Sequence, residues 1–233
     1  MKNAGPEPAF FIAVAHSCKV PVRSTSARPG PVPFMSATTT GRSRCSVCAL
    51  PSRTCLCALV APVRNDVEVL LLQHPDEVDE AKGSARLLRL SLAHCRVAVG
   101  ETFDPATLRE LLDGDVSGSV LLYPEDTVTG TPDWPLPARP TRVVVLDGTW
   151  RKSLKMLHAN PLLQTLPRWP LVQPVLSRYG ALRKARLPTQ LSTLEATCAA
   201  LADIEAAPAR YEPLLTAFGR FVDDRARRVL RAQ

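Results

Sequence analysis

Nowhere in the 233 residues does an apolar run approach the roughly 20 that span a bilayer, so the sequence predicts no transmembrane helix. Internal repeats are missing too, which excludes a solenoid or propeller. Acidic residues are all but absent from the first 44 positions. Lys2, Lys19, Arg23, Arg28, Arg42 and Arg44 stand there against Glu7 alone, a net +5, which leaves +2 for the rest of a chain carrying +7. The sequence also lacks the cysteine spacing of a disulfide framework, since four of its seven cysteines fall within thirteen residues. The run Ala9–Ala15 has the outline of a short signal-peptide core, but thiols grouped in this way argue for a reducing, cytoplasmic setting.

With 45% hydrophobic and 22% charged residues, the chain has the composition of an ordinary globular protein with one good core. Residues 1–43, rich in Ser, Thr, Pro and Gly from Pro21 onward, read as a disordered basic leader. Residues 44–60 form a cysteine module and 61–233 the main domain. The ligand pattern Cys45-x2-Cys48-x6-Cys55-x-Cys57 places four thiolates close enough to enclose one tetrahedral Zn²⁺. Four protein ligands leave no open coordination position, so the site is structural. Unliganded thiols or a redox pair are the alternatives.

Strands and helices alternate beyond the module. Val67–Gln73, Cys95–Val99, Ser119–Tyr123 and Arg142–Leu146 read as strands, with Trp169–Leu176 an irregular one because of Pro170 and Pro174. Helices are predicted over 84–94, 104–112, 150–158, 191–204 and 211–230. This order argues an α/β fold with a mostly parallel sheet flanked by helices.

The segment of greatest interest is Thr141–Lys152. A β-branched run drives into Asp147, Gly148, Thr149 and Trp150, and then into the cations Arg151 and Lys152. In open α/β sheets ligands sit outside the carboxyl ends of the strands, so Asp147 faces the crevice. A carboxylate there can accept a proton, and an indole offers a flat surface to a ring. The plainer alternative is that Asp147 and Thr149 only cap the next helix. Other segments carry the same ambiguity. Lys82–Leu88 opens a helix among cations, and Leu122-Tyr123-Pro124 ends a strand. Ser177–Lys184 crowds hydroxyls with Arg183 and Lys184, and Leu191-Ser192-Thr193-Leu194-Glu195 contains the capping box Ser192-x-x-Glu195.

Taken in order, these segments resemble the DTW-domain family. Its Asp-x-Thr-Trp core stands here as Asp147-Gly148-Thr149-Trp150. The cysteine cluster, His74-Pro75, Ala85–Leu88, Leu122–Pro124, Ser177-x-Tyr179 with Arg183-Lys184, and Leu191–Ala196 follow the family's arrangement. Lys82-Gly83-Ser84 departs from the Thr-Asn-Thr-like lead-in expected at that helix. The resemblance implies a tRNA-uridine aminocarboxypropyltransferase. Such an enzyme moves the 3-amino-3-carboxypropyl group of S-adenosylmethionine to N3 of a uridine and releases methylthioadenosine. It implies a SPOUT-like fold with a C-terminal trefoil knot, a topology that periodicity cannot reveal.

Carried over residue by residue, the resemblance makes Asp147 the base for N3–H. It gives the cofactor pocket to Leu122, Tyr123, Pro124, Asp147, Thr149, Trp150, Leu191, Ser192, Thr193 and Glu195. Arg86, Arg151, Arg183 and Lys184 are the residues expected to meet tRNA phosphates. Nothing in the sequence calls for a membrane or an obligate protein partner. Two rival readings stay open: a SPOUT-type methyltransferase using the same donor, and a non-enzymatic zinc module that binds RNA.

Overall fold

A computed structural model describes residues 43–78, 84–114, 116–124, 136–171 and 191–230. The predicted leader, the segment Ser177–Lys184 and most of the predicted strand Trp169–Leu176 lie outside these residues. Four parallel strands form one sheet: β1 (Glu68–Gln73), β2 (Cys95–Val99), β3 (Ser119–Leu121) and β4 (Arg142–Asp147), in the order β2-β1-β4-β3. The helices are α1 (Ser84–Ser91), α2 (Pro105–Leu111), α3 (Trp150–Ala159), α4 (Pro161–Gln164), α5 (Thr193–Ile204) and α6 (Pro208–Leu230).

The strand sequences explain their places. Arg-Val-Val-Val-Leu-Asp in β4 is buried at every position, as is Glu-Val-Leu-Leu-Leu-Gln in β1 after its first residue. Strands covered on both faces need apolar side chains on both, and these two are central. β2 is half-buried and forms an edge. Alternation then divides the core. Val69, Leu71, Val143 and Val145 pack with Leu87 and Leu88 of α1, Leu194 and Leu201 of α5, and Phe218 and Phe221 of α6. Leu70, Leu72, Val144 and Leu146 pack on the other face with Leu108, Met156, Leu157 and Leu163. At about 1.5–3 kcal/mol for each large apolar side chain fully buried, these two layers hold the sheet.

Two polar clamps fix the amino-terminal edge of the sheet. Glu68 accepts from Arg142 Nε at 2.7 Å and pairs with Arg96, while Arg142 also donates to the Leu112 carbonyl at 2.9 Å and pairs with Asp113. Burial opposes ionisation of Glu68, but the two guanidiniums outweigh it and hold its pKa below the usual glutamate value. The second clamp is Glu205, just past α5. Its Oε1 accepts from the Asp66 and Val67 amides at 2.8 and 2.9 Å, and its Oε2 from Tyr211 and Arg210, both at 2.6 Å. α5 thus spans the sheet from the end of β4 to the start of β1.

Helix starts carry the caps that the sequence announces. Asp104 accepts from the Ala106 and Thr107 amides ahead of Pro105, and Ser192 with Glu195 forms the complete capping box of α5. α6 begins at Pro208, earlier than expected, and keeps Pro213 inside it. Arg168 makes an isolated parallel bridge with Leu121, short of a strand. Among the described residues no helix is long and apolar enough to cross a membrane.

Candidate active site

The carboxyl ends of β1 and β4 lie in register, Gln73 beside Asp147. Both belong to the strand face that meets α5. Asp147 is fully buried, and each of its oxygens accepts a hydrogen bond: Oδ2 from Gln73 Nε2 and Oδ1 from Thr193 Oγ1, both at 2.8 Å. Its carbonyl accepts from the His74 amide at 2.9 Å. Asp147 is therefore not the cap of α3. That role falls to Thr149, whose Oγ1 accepts from the Lys152 amide at 3.2 Å. Gly148 permits the tight turn between them, for a Cβ there would lie 3.1 Å from that of Lys152.

Beside this turn is an aromatic stack. Tyr123, 3% exposed, and Trp150, 38% exposed, pack with ring centroids 5.1 Å apart and planes 21° from parallel. The Arg168 guanidinium lies over Tyr123, 5.5 Å from its centroid. A buried cation, a buried ring and a half-open indole thus form one layered platform. Leu122 is buried in the α5-facing core and continues the ladder through its amide to Val144, while Pro124 is half-buried at the rim. Leu191, Ser192, Thr193 and Glu195 are all buried, with Glu195 Oε2 accepting from the Ser192 amide at 2.8 Å.

The loop after β1 is tied to α3 by charge. Lys152 Nζ meets the fully buried Glu77 at 2.7 Å and Asp76 at 3.3 Å. Burial works against the Lys152 ammonium, but Glu77 and Asp76 outweigh it and its pKa is raised. His74 Nδ1 accepts from the Asp76 amide, which leaves the proton on Nε2 to donate to Glu101 at 2.9 Å. Lys155 and then His74 hold the Glu101 carboxyl below its usual range.

At the cysteine module all four Sγ atoms lie within 4.8 Å of one another, with Cys45–Cys57 and Cys48–Cys55 both at 3.6 Å. Tetrahedral Zn–S bonds of about 2.3 Å put sulfurs ~3.8 Å apart, so the donor set and spacing fit zinc. Backbone amides of Cys48 and Val47 draw the Cys45 thiol down to about 6, whereas burial and its thiol neighbours push Cys57 up to about 12. Ala49 closes the first knuckle in the left-handed region at φ 55°. The module is fastened to the domain by its apolar residues Cys48, Leu50 and Leu56, which join the core, and by Arg86, whose Nη1 donates to the Cys48 carbonyl at 2.6 Å.

The structure thus brings together Tyr123, Trp150 and Thr149 on one side of the β4 terminus and Asp147 and Thr193 on the other. Arg151 is exposed one residue past the indole. Arg183 and Lys184 lie outside the described residues. Sequence reasoning missed Gln73 and the Glu77–Lys152 pair. A polar residue ending an apolar strand was the available signal for Gln73, and only the β1–β4 register gives it meaning.

The family model described as DTW domain matches residues 42–226. The chain is similar to the tRNA-uridine aminocarboxypropyltransferase 2 of Macaca fascicularis, at 28% identity over 171 residues that cover 70% of this chain and 57% of that protein. The Mus musculus protein of that name is 29% identical over the same shares, and the Drosophila melanogaster one 29% identical over 72% of this chain and 68% of its own length. The chain therefore spans only 57% of the length of the two mammalian relatives. No solved structure matches it.

Proposed function

The chain belongs to the DTW-domain family, and from that premise we propose that it transfers the 3-amino-3-carboxypropyl group of S-adenosylmethionine to N3 of a tRNA uridine. The observation that carries this reading is the doubly hydrogen-bonded Asp147 at the end of a central strand, flanked by the Tyr123–Trp150 platform. Uracil N3 carries a proton and attacks poorly until that proton leaves. In this reading the Asp147 carboxylate takes the proton. The N3 electron pair then forms a bond to the γ-carbon as the carbon–sulfur bond breaks and its electrons pass to sulfur. Methylthioadenosine leaves as a neutral thioether.

Because sulfonium is already a good leaving group, the protein's task is orientation: the γ-carbon, not the methyl, must face the nucleophile. Trp150, stacked on Tyr123 with Pro124 at the rim, would suit an adenosyl group by its flat, apolar surface, with Leu122 behind it in the α5-facing core, and Thr149 fixes the indole by capping α3. Leu191, Ser192, Thr193 and Glu195 build the opposite wall. Arg151, Arg183 and Lys184 join Arg86 as the cations for tRNA phosphates. Cys45, Cys48, Cys55 and Cys57 would hold a zinc ion that staples the module. The parallel sheet flanked by helices is in keeping with a SPOUT-like fold, and the C-terminal knot rests on the family resemblance alone. The grouped thiols support a cytoplasmic location.

One observation favours a second role for Asp147. A carboxylate with no exposed surface and a donor on each oxygen is arranged as an anchor of the β1, β4 and α5 termini. Asp147→Asn separates the roles. As a base, Asp147 is needed for turnover while S-adenosylmethionine affinity stays within twofold. As an anchor, its loss weakens S-adenosylmethionine binding and lowers the melting temperature together. The sulfur product decides the activity itself: methylthioadenosine marks aminocarboxypropyl transfer, and adenosylhomocysteine would mark a methyltransferase instead.

A further inference from the structure

α5 runs from Thr193, bonded to Asp147, to Glu205 at the start of β1. α6 begins there too, where Arg210 pairs with Asp66 at 2.7 Å, and packs back along α5. α5 has 12 residues and α6 has 23, or about 18 and 34 Å at 1.5 Å per residue. α6 is thus the longer of the two, and its last turns meet the cysteine module: Arg228 Nη1 donates to the Arg53 carbonyl at 2.5 Å. Arg86 reaches the same module through the Cys48 carbonyl.

The result is a convergence of guanidiniums from three separate parts of the chain. Arg53 comes from the module, Arg86 and Arg89 from successive turns of α1, and Arg225 and Arg228 from one face of α6. Arg53, Arg89 and Arg228 are exposed, and Arg86 and Arg225 half-buried. Arg225 lies over the Phe221 ring, 5.1 Å from its centroid, which fixes its direction. On the same stretch of helix Asp224 pairs with Arg227 at 2.5 Å. A row of planar donors suits phosphate oxygens.

We propose that this arginine surface, formed where the cysteine module meets α1 and the end of α6, docks the phosphate backbone of the RNA substrate outside the nucleotide being modified. The inference rests on the tRNA-modifying reading above and names the part of the protein that grips the body of the RNA. It also gives the metal module a second purpose, since the fold of the module sets where Arg53 and Arg228 meet.

The test is equilibrium binding of an unmodified tRNA transcript, by fluorescence anisotropy, between 50 and 200 mM salt, to the full chain and to R53Q/R89Q and R225Q. Arg53 and Arg89 are exposed, and Arg225 lies over the Phe221 ring. Each cation that meets a phosphate contributes roughly 0.7–0.9 to the slope of log K against log salt. R53Q/R89Q should lower the slope by about 1.4–1.8 and R225Q by about 0.7–0.9, with unchanged S-adenosylmethionine affinity and, for R53Q/R89Q, an unchanged melting temperature. Slopes equal to wild type in both variants overturn the proposal. So does a loss confined to anionic phospholipid vesicles, which would assign the surface to a membrane. Product analysis of the same wild-type preparation keeps the two claims apart. Modified uridine with unaltered variant slopes sinks only the docking surface, whereas reduced slopes without modification sink only the enzymatic reading.

Discussion

Thr193 Oγ1 donates to Asp147 Oδ1 at 2.8 Å across 46 positions of sequence, and neither residue has any exposed surface. The first residue of α5 therefore decides how the carboxylate at the end of β4 is held. Thr193→Val keeps the shape and removes the donor, leaving a buried oxygen short of a partner at a cost of about 1–3 kcal/mol. The expected result is a lower melting temperature and a turnover reduced at least tenfold, with Thr193→Ser restoring both. Wild-type turnover in Thr193→Val would show that the bond is incidental.

Gln73 should behave similarly from the other side. Gln73→Leu strips Asp147 Oδ2 of its donor, and Gln73→Glu sets a second carboxylate against the first. Both variants should lose turnover, Gln73→Glu the more severely, because it sets like charge against Asp147. Wild-type turnover in Gln73→Glu would contradict this arrangement.

The Glu205 clamp makes a prediction about stability alone. Glu205→Ala leaves the Asp66 and Val67 amides and the Tyr211 hydroxyl without their acceptor and leaves Arg210 paired with Asp66 alone. Unfolding in urea should show a loss of about 2–4 kcal/mol. A loss below 0.5 kcal/mol would show that solvent replaces the clamp freely.

Acid should weaken the amino-terminal edge of the sheet through Glu68. Its folded-state pKa lies below the ordinary value of 4.5, so its stabilising contribution is complete above that value and is lost as pH falls through the folded-state pKa. Glu68→Gln should lower the urea midpoint at pH 7 and flatten its fall below pH 4.5. An unchanged acid limb in Glu68→Gln would remove Glu68 from the acid response.

Metal analysis checks the module. One zinc per chain is expected, and Cys48→Ser or a strong chelator should abolish it. Cys48, Leu50 and Leu56 belong to the same core as Leu87 and Phe218, so metal loss should also expose apolar surface and raise binding of a hydrophobic dye. A metal-free chain with the wild-type melting temperature would contradict a structural metal.

Much of this architecture is legible from residues alone. The unbroken Val143–Leu146 run marks a strand buried on both faces, Asp104-Pro105 marks a helix start, and Ser192-x-x-Glu195 marks another. Cys45, Cys48, Cys55 and Cys57 announce their common site by spacing. The partners of Asp147 are another matter. Gln73 is 74 residues away in sequence, and its role follows only from the parallel register of β1 with β4. Thr193 looks like one more hydroxyl beside a capping box until α5 is seen to start against β4. Capping and ligand-binding readings of Thr149 and Ser192 use the same atoms, and the structure shows both caps made. α4 was not visible in advance, because its four residues are too short for periodicity to register.

The central claim is best tested by nucleoside mass spectrometry of unmodified tRNA incubated with the protein and S-adenosylmethionine. The account predicts a uridine carrying one aminocarboxypropyl group on N3, formed in step with methylthioadenosine and absent with Asp147→Asn. A methylated nucleoside accompanied by adenosylhomocysteine, or tRNA unchanged by a preparation that binds both substrates, would contradict it.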